Sequence, residues 1–234
     1  MELLHKEYAN NPPQCVRTKG FYIYLNPRDA MISYQVFRAG IWEPGETRLL
    51  EKLVTRKSSV VDVGANIGWF TLCSATKARV VHAFEPEPTN FHFLQLSVAR
   101  NKFRNVQLHA HAIGEREGLA TLFLADGSNK GTHSTVWRVG AQELVVPMET
   151  LDRLFPSETI DVLKIDVEGG EPEVLSGARR MINEKRVRQI IMEWNPEVWK
   201  GRLNLLQSFD AWELDAKTPF SFPERQSSVH LTQS

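Results

Sequence analysis

The 234-residue sequence predicts an α/β fold, a mostly parallel twisted sheet with helices on both faces. Two observations carry that expectation. Short apolar runs rich in Val and Ile alternate with segments of helical periodicity, and strands without polar alternation are the kind buried on both faces of a parallel sheet. One such run, Val60 to Val63, ends in a glycine-bearing turn that opens a helix, the general shape of a nucleotide-binding βα unit. The length suits one domain, or one with an appendage.

Taken in order, Phe21 to Leu25 is aromatic and β-branched and reads as a short strand, closed by the turn Asn26-Pro27-Arg28-Asp29. Met31 to Ala39 and Gly45 to Arg56 read as helices, and in the second Leu49, Leu50, Leu53 and Val54 recur at helical spacing. Val60 to Val63 is a buried strand, Ile67 to Ala75 a helix and Val80 to Phe84 the next strand. Thr89, after Pro88, is expected to cap a helix through Arg100, with Phe93, Leu94, Leu96 and Val98 as its apolar positions. Val106 to His111, Ile160 to Ile165 and Val187 to Met192 are the third, fourth and fifth strands, with a helix from Glu171 to Asn183 between the last two. The alternation breaks once. Leu119 to Ala125 and Glu143 to Val146 read as an added β-hairpin after the third core strand, and the polar stretch Asp126 to Thr135 between them as a mobile loop. Beyond Lys217 the chain reads as a last edge strand or a loose end. The expected division is a cap segment over 1–56, a core domain over 57–216 and a tail over 217–234.

Lys plus Arg and Asp plus Glu both number 28, so the net charge is zero, which argues against a nucleic-acid surface. Asn11-Pro12-Pro13-Gln14 approaches the proline-proline signature of base-amino methylation but lacks its stacking ring and reads as coil. A hydrophobic content of 42 % excludes disorder as the main state. Two cysteines, Cys15 and Cys73, exclude a disulfide framework and fit a reducing, cytoplasmic setting. Met1 to Tyr8 lacks a signal-type apolar run, and no stretch is apolar enough to span a bilayer, so no membrane partner is expected.

Three motifs carry chemistry. In Asp62-Val63-Gly64-Ala65-Asn66-Ile67-Gly68 the glycines permit a tight turn and close backbone approach, but the pattern is one residue shorter than a dinucleotide fingerprint, and no phosphate loop occurs anywhere. The ligand of this turn is therefore expected to lack a pyrophosphate. Glu85 ends the second strand, where a carboxylate reaches the two hydroxyls of a ribose, and Pro86 and Pro88 fix the exit of the chain. Lys164-Ile165-Asp166-Val167-Glu168-Gly169-Gly170-Glu171 brings three carboxylates to the end of the fourth strand, the sheet edge where ligands bind. Glu171, before Pro172, also suits a helix N-terminus.

Together with Phe84-Glu85-Pro86 through Asn90, Thr150-Leu151-Asp152 and Val174 to Ala178, these motifs resemble the FkbM-type methyltransferases from about Trp42 to Glu193. The resemblance implies a class I Rossmann-like fold with seven strands, the final one antiparallel, S-adenosylmethionine as cofactor, and methylation of a hydroxyl oxygen. It implies that Asp62, Gly64, Ala65, Asn66, Gly68, Glu85, Pro86 and Asp166 bind the cofactor, with Ala112 and Ile113 cupping its adenine. Strands six and seven are poorly marked, near Ala211 to Ala216 and within Ser228 to Leu231. Trp42, Glu43 and Pro44 are candidates to cover the cofactor.

An alcohol nucleophile loses a proton during transfer, so a general base is expected, with Asp166, Glu168 and His133 as candidates. The other six histidines, His5, His82, His92, His109, His111 and His230, read as non-catalytic. A Mg²⁺ site at Asp166, Glu193 and Asn195 is a geometric possibility that the resemblance does not imply, and no metal is expected. The expected acceptor is a small-molecule or saccharide-type hydroxyl, and the expected state a monomer or homodimer. The alternatives are N- or carboxyl-methylation on the same fold, or a cofactor-binding module without catalysis.

Overall fold

A computed structural model of the chain describes residues 14–26, 28–125, 133–136, 141–206, 209–213 and 227–233. Met1 to Tyr8, the Asn11-Pro12-Pro13 coil, Gly127 and Gly131 of the polar loop, and the stretch around Pro219 and Pro223 lie outside the described residues. The chain opens with a hairpin, β1 (Cys15–Thr18) and β2 (Phe21–Tyr24), of which the sequence announces only the second strand. Then come α1 (Ile32–Ala39), α2 (Pro44–Leu53), β3 (Ser59–Val63), α3 (Trp69–Ala75), β4 (Val80–Phe84), α4 (Pro88–Asn101) and β5 (Val106–His109). A small sheet follows, built from β6 (Ala112–Ile113), β7 (Gly118–Leu124) and β8 (Gln142–Glu149). After α5 (Leu151–Leu154) the main sheet resumes with β9 (Val162–Ile165), α6 (Glu171–Ser176), α7 (Arg179–Asn183), β10 (Gln189–Trp194), α8 (Pro196–Trp199), a 3-10 turn at Leu203–Leu206, β11 (Phe209–Glu213) and β12 (Ser227–Gln233).

The main sheet has seven strands in the order β11-β12-β10-β9-β3-β4-β5. β3, β4, β5, β9 and β10 are parallel, and β12 runs antiparallel to both its neighbours. The expected α/β fold, with helices on both faces and a hairpin after the third core strand, is therefore the observed one. The tail differs from its expectation as an edge strand or loose end: Ser227–Gln233 lies inside the sheet, with β11 as the edge.

Strand periodicity sorts the core into two layers. Val61, Val63, Phe84, Leu163 and Ile165 point to one face, where Val174, Leu175 and Met181 of α6 and α7 meet them. Val60, Val81, Ala83 and Val162 point to the other, against Leu72 of α3, Leu94 of α4 and Phe21 and Ile23 of β2. Asp62 and Lys164 fall on this second face by the same alternation, and both are buried. The β1–β2 hairpin docks on α4 through polar side chains: Asn101 accepts from the Tyr22 N–H at 2.7 Å, and Ser97 accepts from the Tyr24 N–H at 2.9 Å.

Two helix boundaries differ from the sequence expectation. The cap of α4 is Glu87, which accepts from the Asn90 N–H at 2.7 Å, because Pro88 occupies the first helical position and leaves Thr89 inside the helix. The helix expected over Glu171 to Asn183 breaks at Gly177-Ala178. The carboxylate of Asp152 enters the break and accepts from the N–H groups of Arg180 and Met181, both at 2.8 Å. The backbones close so tightly there that a Cβ on Gly177 would lie 2.0 Å from the carbonyl oxygen of Gly114. Gly177→Ala should therefore lower unfolding stability by about 1–3 kcal/mol in urea titration, an overpacking cost.

Candidate functional site

The C-terminal ends of β3, β4 and β9 converge on one cleft. Its first wall is the turn after β3. Gly64 adopts φ +83°, and a Cβ there would lie 1.8 Å from the Asp166 carbonyl oxygen, so only glycine lets the turn fold against the segment leaving β9. The N–H groups of Gly64 and Ala65 donate to the Phe84 carbonyl at 3.0 and 2.9 Å, which ties the turn to the end of β4. Asn66, also left-handed at φ +51°, donates its N–H to Glu85 Oε2 at 2.8 Å. Glu85 Oε1 accepts from the Glu87 N–H at 2.9 Å.

Gly64, Asn66, Glu85, Pro86, Ala112, Ile113, His133 and Asp166 all line this cleft. Asp62 lies beneath it, buried in the sheet, where it accepts from the Thr71 hydroxyl at 2.5 Å. Ala65 and Gly68 stand behind the turn, with the Gly68 N–H donating to the Ala65 carbonyl at 2.9 Å. Glu168 sits at φ +52° on the next turn of the β9 exit. Glu171 is turned away from the cleft: its Oε1 accepts from the N–H groups of Val167 and Gly169 at 3.3 and 3.2 Å and so holds the exit loop together.

Four features of the site escaped the sequence reading. His111, Leu122 and Thr135 also line the cleft. Nothing in their local pattern marks them, because they reach it from β7 and from loops of irregular backbone. The fourth is the surrounding of Lys164. Its ammonium is buried, bridges to Asp166 Oδ2 at 3.2 Å and stands 4.7 Å from the centre of the Phe70 ring. Burial opposes its charge, but Asp166, Glu43, Glu46 and Asp62 together hold its pKa above the ordinary lysine value. The residue type and strand position were visible, and the four acidic neighbours were not. Glu43, read as a cover for the cofactor, instead belongs to this charge cluster.

Burial dominates the acidity of the carboxylates. It pushes Asp62 up to about 6 against the Thr71 hydroxyl and Lys164. It pushes Glu43 up to about 9, with Lys164 opposing and Asp166 adding to the rise. Glu85 rises to about 8 even though the Glu87 and Asn66 N–H groups favour its ionised form. Glu168 rises to about 8 by burial and by the nearby carboxylates of Asp166, Glu193 and Glu171. His133 takes a defined tautomer: its Nδ1 accepts from the Ala125 N–H at 2.9 Å, so the neutral ring carries its proton on Nε2.

The donor set fits the cofactor that the sequence resemblance implies. Each Glu85 oxygen spends one acceptor site on the backbone and keeps another for a ribose hydroxyl. Acidic Asp166 at the wall suits a sulfonium. Ala112 and Ile113 provide an apolar wall beyond Glu85. Among the described residues no three His, Cys, Asp or Glu side chains form a metal-ligand group, and Asn195 spends its Oδ1 on the Glu197 N–H at 3.1 Å, capping α8. No helix among the described residues is long and apolar enough to cross a membrane.

Comparison with known proteins agrees with this geometry. The model of the methyltransferase FkbM domain matches residues 62–214. Methyltransferase 1 of Beauveria bassiana (strain ARSEF 2860) is 29 % identical over 149 residues, which cover 51 % of this chain and 58 % of that protein. The crystal structure of methyltransferase FkbM from Methylobacillus flagellatus KT superposes with a TM-score of 0.53 at 16 % identity, covering 88 % of this chain and 48 % of that one. The chain thus spans about half the length of these two relatives. SMU.1697c from Streptococcus mutans, solved in complex with SAH, superposes with a TM-score of 0.52 at 12 % identity, covering 83 % of this chain and 99 % of that one.

The raised acidity constant of Glu85 has a readable consequence. Between about 4.5 and 8 the native chain keeps a proton on Glu85 that the unfolded chain has lost, so this group's contribution to stability falls as pH rises through that window. With a ribose at Glu85, as the resemblance implies, only the ionised carboxylate would accept from both hydroxyls. Calorimetric affinity for S-adenosylhomocysteine should therefore rise from pH ~6.5 to ~8.5, by at most about tenfold per unit. In Glu85→Gln the affinity should be weaker and the pH dependence flatter.

Proposed function

This chain belongs to the FkbM methyltransferase family, and from that premise we propose that it is an S-adenosylmethionine-dependent O-methyltransferase acting on a small-molecule or saccharide-type hydroxyl. The observation that carries the reading is the Asp166 carboxylate, which lines the cleft and is fixed from below by the buried ammonium of Lys164. The cofactor supplies an electrophilic methyl group on a sulfonium. Everything else is asked of the protein's own side chains.

Glu85 orients the ribose end, the Gly64–Gly68 turn the methionine end, and Asp166 stands where a hydroxyl acceptor is to be aligned and deprotonated. Alignment of the two reactants contributes up to about 7–11 kcal/mol of barrier lowering, and removal of the hydroxyl proton roughly 10²–10⁴-fold in rate. Lys164 keeps Asp166 in place through their ion pair. Glu168, pushed up to about 8 beside Asp166, holds its proton near neutral pH and becomes a second proton acceptor only as pH rises through that value. His133, with its proton on Nε2, serves the acceptor as a hydrogen-bond donor from the hairpin side. Cys15, exposed and free, and Cys73, buried and free, fit work in a reducing compartment such as the cytoplasm.

The decisive measurement is methyl transfer from labelled S-adenosylmethionine to a panel of polyhydroxy, phenolic, amine and carboxylate acceptors. Incorporation into hydroxyl compounds is expected. Label found only on amines or carboxylates would replace the O-methyl reading with the N- or carboxyl-methyl one, and failure to bind S-adenosylhomocysteine at about millimolar concentration would remove the whole assignment. Asp166→Asn should lower kcat by about 10²–10⁴-fold while cofactor affinity changes far less. Equal losses in both would make Asp166 a binding residue and leave the base to Glu168.

A further inference from the structure

A second cavity, of about 690 Å³, lies on the other side of Phe84 from the cofactor cleft. It exists because of the connection between β5 and β9. In place of a long helix, the described part of that connection holds the small sheet and the one-turn α5, and among the described residues Leu154 and Phe155 border the outward side chains of β4 and β5 at one end. What remains open is a floor of two imidazoles. His82 and His109 sit on neighbouring parallel strands, 5.6 Å between ring centres and 13° from coplanar, with His82 Nδ1 and His109 Nε2 3.3 Å apart. Phe84 backs His109 at 4.4 Å and 13°, and Phe155 stands at right angles to His82 at 4.9 Å as a side wall.

The rim of this groove is cationic. Lys57 and Arg79 line it and have no carboxylate partner among the described residues. Arg79 makes only a long 3.4 Å contact from Nε to the Lys57 carbonyl. A third cation, Arg188, is paired with Asp161 at 2.8 Å, and the other acidic group, Glu158, accepts from the Ser157 N–H at 3.1 Å. Burial, followed by the neighbouring imidazoles, pushes His109 down to about 4, and burial lowers His82 as well.

We propose that this groove is a binding site for a planar aromatic anion, a ring system lying on the His82–His109 floor with its carboxylate, sulfonate or phosphate toward Lys57 and Arg79. The two ring centres span a fused bicyclic system, and a volume of 690 Å³ falls in the range of small-molecule sites. Stacking supplies the apolar part of the affinity and the two unpaired cations the charge selectivity. The site is separate from methyl transfer and does not depend on which acceptor the cofactor cleft takes.

The test is titration of the full chain with 2-naphthoate, read by the imidazole NMR signals of His82 and His109, with His111 and His133 of the cofactor cleft as internal controls. The groove signals should shift and saturate below about 5 mM while the control signals stay put. Naphthalene-2-carboxamide should bind about tenfold more weakly. The Lys57→Glu/Arg79→Glu double variant, checked for unchanged melting temperature and S-adenosylhomocysteine affinity, should lose about tenfold for the naphthoate. Shifts confined to His111 and His133, no shift at about 5 mM, or charge reversal without effect would each overturn the proposal.

Discussion

One buried ammonium holds the site together. Lys164 lies opposite Asp62 in the β3–β9 register, two residues before Asp166 at the exit of its strand, and within the field of Glu43 and Glu46 at the start of α2. A lysine taken out of water is stable only when opposite charges and hydrogen bonds compensate, and removing one member of such a set costs far more than the set contributes net. This cluster therefore works less as a source of stability than as a demand for order. It requires that α2, β3 and β9 be in place together, because each brings a carboxylate that the ammonium needs. The Glu46 carboxylate also accepts from the Ser228 hydroxyl of β12, so the demand reaches across to the antiparallel strand.

The opposite wall of the cleft is set by the small sheet. Ser134 is fully buried, pairs with Phe123 through two backbone hydrogen bonds of 2.8 and 3.1 Å, and donates its hydroxyl to the Glu168 carbonyl at 2.8 Å. The segment after the hairpin strand is thereby fastened to the turn that carries Asp166 and Glu168. His133 and Thr135, on either side of Ser134, line the cleft from this fastened segment. The part of the molecule with the least regular backbone thus has a defined anchor beside the cleft.

The parallel strands and the glycine turn were legible because their signals are local. A run such as Val60-Val61-Asp62-Val63 followed by Gly64 encodes burial, register and turn within a few residues. Glu85 and Asp166 were legible because strand ends in an open α/β sheet point to one edge. What the sequence hid was non-local. Asp152 caps α7 from 28 residues away, so the break in that helix has no marker beyond one glycine. β2 is held by Asn101 and Ser97 of α4, more than 70 residues away, and nothing local marks Cys15–Thr18 as its hairpin partner. Lys164 read as part of a motif, but the four carboxylates that make it costly arrive from three separate segments.

The position of β12 has a consequence for the order of assembly. In sheet order β11 lies outside β12, yet it comes earlier in the chain. Among the described residues its only sheet partner is a strand that emerges later from the ribosome, and β10 likewise has one side unfilled until then. During synthesis β10 must wait with one edge unpaired, and β11 without a partner in the sheet. Such edges invite pairing with other chains. Insertion of Ser227–Gln233 is a long-range closure of the kind that slows folding. The nascent chain is therefore most exposed to misassembly in the interval between Glu213 and Ser227, when everything needed for the cofactor turn has already been made.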